Sequence, residues 1–112
     1  MEILHNKRCG KSRNCLAFLE ENGKEFTVRN YLENKLSVDE ITSLLTKLKM
    51  QPIALVRQNE SVWKDNFNNK KMSDKDIIEA MAEFPILIQR PIVINGESAY
   101  IARDEAALQK LI

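Results

Sequence analysis

The chain has 112 residues, enough for one hydrophobic core and too few for two ordinary domains, and its 44% apolar and 29% charged residues are those of a folded globular protein. A formal net charge of +1 removes any global electrostatic case for binding nucleic acid or an anionic membrane, so affinity for anions must be local. No apolar run reaches the length of a membrane span, and the first residues lack the pattern of a secretory signal. The expected product is a single cytoplasmic domain over residues 1–112.

Glu2 to His5 carries Ile3 and Leu4 into a polar turn and reads as a short strand feeding a loop. That loop, His5-Asn6-Lys7-Arg8-Cys9-Gly10-Lys11-Ser12-Arg13, places a cysteine among four cations. From Ser12, a candidate N-cap, the residues Cys15, Leu16, Phe18 and Leu19 follow helical spacing, and Gly23 stands where a helix stops. A thiolate is favoured by cations and by a helix N-terminus, and Cys9 has both, which marks it as an activated nucleophile. Gly10 is expected to let the backbone turn closely, leaving free N–H groups to hold an anion beside the sulfur. His5, four residues earlier, is a candidate to act on the thiol as a cation or as a hydrogen-bond partner. An inert core cysteine beside a solvated loop is the plainer reading, and the lack of apolar neighbours argues against it.

Cys9 to Ser12 forms a C-x-x-S, so the usual resolving cysteine is missing. Cys15 lies within the predicted helix and is expected on its buried side. Two cysteines make no disulfide framework, and with His5 as the one further soft ligand a structural metal is not expected.

Phe26 to Tyr31 predicts a second strand after the Asn22-Gly23 turn. Ser37 with Glu40 makes a capping box ahead of the stripe Ile41, Leu44, Leu45 and Leu48. Pro52 opens a short segment through Arg57, and the polar stretch with Trp63 and Phe67 predicts irregular or short helical turns. Ser73 with Asp76 caps a helix bearing Ile77, Ile78, Met81 and Phe84, which Pro85 ends. Ile92 to Ile94 runs into Asn95-Gly96, a hairpin signal, with Tyr100 to Ala102 returning and Asp104 capping a last helix. Strand, helix, strand, several helices, hairpin and helix make an α/β chain of thioredoxin-like type. It has a small mixed four-stranded sheet flanked by helices, with a helical insertion between the second and third strands.

Four ordered stretches carry a family resemblance: His5-Asn6-x-x-Cys9-Gly10-x-Ser12-Arg13, Tyr31-Leu32-Glu33-Asn34, Arg57-Gln58-Asn59-Glu60 and Pro85 through Val93. Together they resemble the glutaredoxin-dependent arsenate reductases of the ArsC family. The resemblance implies a thioredoxin-like fold and a single catalytic cysteine at Cys9, with His5, Ser12 and Arg13 acting on its thiolate. It implies oxyanion binding by Arg57, Arg90 and Arg103 together with the Gly10 loop, and a cis proline at Pro91. Arginine suits an oxyanion because its planar fork stays charged and binds in a bidentate manner. It also implies a monomer with no bound cofactor, glutathione as co-substrate, glutaredoxin as transient partner, and neither nucleic acid nor membrane as partner. Two other classes share the fold: a glutaredoxin-type protein acting on glutathione mixed disulfides without arsenate activity, and a redox-sensing transcription regulator resembling Spx. The second usually carries Cys-x-x-Cys, and Ser12 stands at that position here.

Overall fold

A computed structural model describes residues Met1–Ile112 as two compact units, Met1–Asn34 with Arg90–Ile112 and Lys35–Gln89. The first unit holds β1 (Glu2–His5), α1 (Gly10–Glu21), β2 (Thr27–Asn30), β3 (Ile92–Asn95), β4 (Ser98–Ile101) and α6 (Glu105–Gln109). The second holds α2 (Val38–Leu48), α3 (Pro52–Leu55), α4 (Ser61–Asn66), α5 (Asp74–Glu83) and a 3₁₀ turn at Pro85–Leu87.

The strands form one sheet in the order β2-β1-β3-β4. β1 runs parallel to β2, with Ile3 opposite Val28 and His5 opposite Asn30, because α1 supplies the crossover that a parallel pair needs. β3 is antiparallel to both β1 and β4. Ile3 and Val93 are register partners, and both are fully buried in a cluster with Cys15, Leu19, Ala102, Leu108 and Leu111. Strand residues alternate faces, so Leu4 and its partner Ile92 lie on the opposite side of the sheet, where they are buried too. The mixed four-stranded sheet and the helical insertion after β2 are as the element order predicts.

The register decides what meets at one edge of this sheet. β1 and β2 end where β3 begins and β4 ends, so four chain segments share that edge: Asn6 to Cys9, Tyr31 to Asn34, Arg90-Pro91 and Ala102-Arg103. The Arg90–Pro91 peptide is cis, and the Ala102 N–H donates to the Pro91 carbonyl at 2.9 Å.

In the helical unit, both expected capping boxes form. The Ser37 hydroxyl accepts from the Glu40 N–H and the Ser73 hydroxyl from the Asp76 N–H, both at 3.1 Å, and each acidic side chain returns the bond. α2 packs on α5 through the stripes Ile41, Leu44, Leu45 and Ile77, Ala80, Met81. The stretch around Trp63, expected as irregular or short helical turns, is a helix of 6 residues, closed by an aromatic run in which Phe67 lies 5.5 Å from Trp63 and 6.0 Å from Phe84. Two local readings differ from the sequence. Phe84 has left the α5 stripe and stands at its C-cap. The hairpin loop is Gly96-Glu97, one residue later than an Asn95-Gly96 turn, since Asn95 still pairs with Ser98. No helix is long and apolar enough to cross a membrane.

Candidate active site at the Cys9 loop

Asn6 shapes the loop that follows β1. It is buried; its carbonyl accepts the Cys9 N–H at 3.0 Å and its side-chain oxygen accepts the Arg8 N–H at 3.0 Å. The second bond is the local turn that asparagine forms with its own backbone two residues on, and it was the available signal for a positioning role that residue chemistry alone did not reveal. Cys9, not Ser12, is the N-cap of α1, with extended backbone at φ −95° and ψ 121° and its carbonyl accepting the Arg13 N–H at 3.1 Å.

This one-turn correction changes the chemistry. As N-cap, Cys9 stands at the positive end of α1, beside the unpaired N–H groups of the first helical turn, without a side-chain hydrogen bond closing the cap. Partial burial of Cys9 acts to raise its pKa, but the backbone N–H groups of Ser12 and Lys11, the positive charge of Arg90 and the Ser12 hydroxyl outweigh it. The net result is a thiol held below its ordinary value.

Ser12 is fully buried, and its hydroxyl also accepts from the Asn6 N–H at 3.4 Å, tying the loop to the helix. Gly10 is the first helical residue and has no positive φ, so the close turn expected of it is absent. A methyl group there would meet only Arg13 Nη2, at 3.9 Å, which is ordinary contact. Arg13 itself is exposed one turn into the helix. His5 is 8% exposed, its Nδ1 has no hydrogen-bond partner, and burial lowers its pKa. Of the two roles open to His5, burial therefore disfavours the cation, and His5 is not among the groups that shift the thiol.

Arg90 is the least satisfied group in the unit: its Nε and Nη1 are buried with no hydrogen-bond partner, while its charge acts on Cys9. Buried guanidinium N–H groups without acceptors are costly unless an anion completes them. Pro91, buried and cis, follows directly. Arg103 is exposed at the same sheet edge. Arg57 belongs to the helical unit, where its side chain pairs with Glu60 and its N–H donates to the Leu87 carbonyl at 2.7 Å. Cys15 is fully buried in the core of the sheet unit, and its thiol is pushed up to about 11 by burial. The two cysteines are free, and no three His, Cys, Asp or Glu side chains are gathered to hold a metal.

The chain is similar to proteins of known sequence and structure over nearly its whole length. The model of the ArsC family matches residues 4–111. An arsenate reductase of Haemophilus influenzae is 35% identical over 112 residues, covering 98% of this chain and 97% of that one. One from Acidiphilium multivorum is 40% identical over 111 residues, with 98% of this chain and 79% of the relative covered. The solved structure of an arsenate reductase from Vibrio cholerae matches the fold with a TM-score of 0.84 at 36% identity, over 98% of this chain and 94% of that one.

Proposed function

The chain belongs to the ArsC family, and on that premise we propose that it is an arsenate reductase in which Cys9 is the nucleophile. The observation that carries this reading is the pairing of a thiol held below its ordinary value with a half-buried Arg90 whose buried Nε and Nη1 lack acceptors. A cation with open donors next to a thiolate is what a reaction between two anions requires, because it offsets their repulsion as they approach.

The Cys9 thiolate attacks arsenic and a hydroxide leaves as water, giving a sulfur–arsenic(V) bond. Glutathione thiolate then attacks the Cys9 sulfur. The electron pair of the sulfur–arsenic bond passes to arsenic, which leaves as arsenite, and Cys9 is left in a mixed disulfide with glutathione. Ser12 sits where the resolving cysteine of a C-x-x-C would be, and Cys15 is buried, so no second thiol of the chain is placed to release Cys9. An external thiol must do so, and glutaredoxin fills that role, attacking the glutathione sulfur and freeing the Cys9 thiolate. Arg103, exposed at the same sheet edge, assists in oxyanion binding, and the family resemblance adds Arg57 as the third arginine. Arg13 and the Gly10 peptide line the approach of the anion, and His5 supports the loop as a neutral imidazole. No prosthetic group enters this scheme. The protein acts as a monomer in the reducing cytoplasm, where its two thiols stay free.

The test is reductant consumption on adding arsenate to the protein with glutathione and glutaredoxin. Turnover should be lost in Cys9→Ser, kept in Cys15→Ala, and depressed at least tenfold, on the order of a lost charge-assisted contact of about 1.5–3 kcal/mol, in Arg90→Gln. Exchange with glutathione mixed disulfides in the absence of any arsenate-dependent turnover would replace this reading with the glutaredoxin-type one.

A further inference from the structure

Beside the Cys9 loop lies a cavity of about 270 Å³ lined by Asn6, Lys7, Arg8, Asn30, Leu32 and Glu33. Two asparagines at matching ends of the parallel strands β1 and β2 build its walls. Asn6 holds the Arg8 and Cys9 amides, and Asn30 accepts from Leu32 through its side chain at 3.3 Å and from Glu33 and Asn34 through its carbonyl at 3.2 and 2.9 Å. The wall that carries Lys7 and Arg8 continues in the chain directly into Cys9, whose N–H donates to the carbonyl of the wall residue Asn6.

The charges lining it are mixed. One wall offers two cations, the other a carboxylate, and the Lys7–Glu33 pair across it is loose at 4.0 Å with both side chains about 70% exposed. Such a pair contributes little and is easily opened by a ligand. A simple anion would satisfy the first wall and be repelled by Glu33; a ligand with a carboxylate and an ammonium close together satisfies both. The volume lies just below the range of about 300–1,000 Å³ of whole-ligand pockets, which suits one amino-acid-sized fragment and not a complete peptide.

We infer that this cavity seats the α-amino-acid end of the small thiol that discharges Cys9, with Arg8 and Lys7 on its carboxylate and Glu33 on its ammonium. Glutathione carries such a group on its γ-linked glutamate, a short chain away from the sulfur. This rests on the reading of Cys9 as a thiol that exchanges with glutathione, and extends it by assigning the residues that select the thiol.

The experiment needs no arsenate, so its failure is separate from failure of the reductase reading. Reduced protein is mixed with glutathione disulfide or, in parallel, with 3,3′-dithiodipropionate, which has carboxylates but no ammonium. In either case the Cys9 thiolate attacks one sulfur, the disulfide bond breaks, its electron pair leaves on the departing thiolate, and Cys9 becomes a mixed disulfide. Glu33→Gln should slow the reaction with glutathione disulfide about five- to tenfold, the effect of one charge-assisted contact. The same variant should leave the dithiodipropionate rate unchanged or raise it, since a repelling carboxylate is gone. Arg8→Gln should slow both reagents, and alkylation by neutral iodoacetamide should be the same in wild type and Glu33→Gln. If Glu33→Gln speeds both disulfides alike or leaves the glutathione reaction untouched, Glu33 is only background charge and the inference falls. It falls also if Cys9 does not react with glutathione disulfide.

Discussion

The two cysteines differ because of what surrounds each sulfur. Cys9 stands at a helix N-terminus, where the Ser12 and Lys11 N–H groups and the charge of Arg90 favour its thiolate, so the thiolate forms at lower pH than an ordinary thiol's. A plot of iodoacetamide alkylation rate against pH should have its midpoint below that of an unstructured cysteine. Removing the cation in Arg90→Gln, or the hydroxyl in Ser12→Ala, should move that midpoint upward, because both groups favour the charged form. An unmoved midpoint in both variants would contradict the assigned causes. Cys15 has the opposite sign. Its folded pKa is raised to about 11 by burial, so the unfolded chain loses this proton first as pH rises, and folding is favoured fully only below the ordinary thiol range. Stability should therefore fall in the window between the ordinary thiol value and about 11, and the fall should be shallower in Cys15→Ala when thermal melts are compared across that range.

At the level of elements, the local rules were the most legible. Ser37 with Glu40 and Ser73 with Asp76 announce helices because a capping box needs only four consecutive residues, and both boxes form. Ser37→Ala and Ser73→Ala should each cost about 1 kcal/mol in denaturant unfolding. The short α3 and α4 were harder to see, since helices of 4 and 6 residues complete too few turns for a 3.6-residue pattern to emerge. The glycines divide in the same way. Gly96 begins the β3–β4 loop at φ 64°, and nothing lies within 4 Å of where a methyl group would go, so Gly96→Ala should cost about 1–2 kcal/mol from backbone conformation alone. Gly10 sits in ordinary helical backbone, so Gly10→Ala should leave stability unchanged or raise it by up to about 1 kcal/mol. Equal losses in the two would mean that Gly10 has a conformational role the helix does not show.

At the scale of the whole molecule, the order of strands and helices could be read from the chain, as could the identity of the nucleophile, because patterning and the basic setting of Cys9 are properties of neighbouring residues. What could not be read was which distant residues reach it. Arg90 is 81 positions from Cys9 in the chain, and only the register of β1 against β3 brings the Arg90-Pro91 step to the sulfur's edge of the sheet. Its importance came from the family resemblance alone. Likewise His5 looks from spacing like a possible cation, whereas its neutrality follows from burial, which only the assembled fold supplies. The mixed charge of the cavity beside the loop is of this kind too, since Lys7 and Glu33 belong to segments joined only by the pairing of β1 with β2.

The central claim is that arsenate converts Cys9, and no other residue, into a species that glutathione captures. The direct measurement is mass spectrometry of the protein incubated with arsenate and glutathione in the absence of glutaredoxin, followed by peptide mapping. Glutathione should be found on Cys9 and not on Cys15, at a rate that depends on arsenate and falls sharply in Arg90→Gln. A Cys9–glutathione disulfide that forms equally fast without arsenate, or a label that appears on Cys15, would contradict the account.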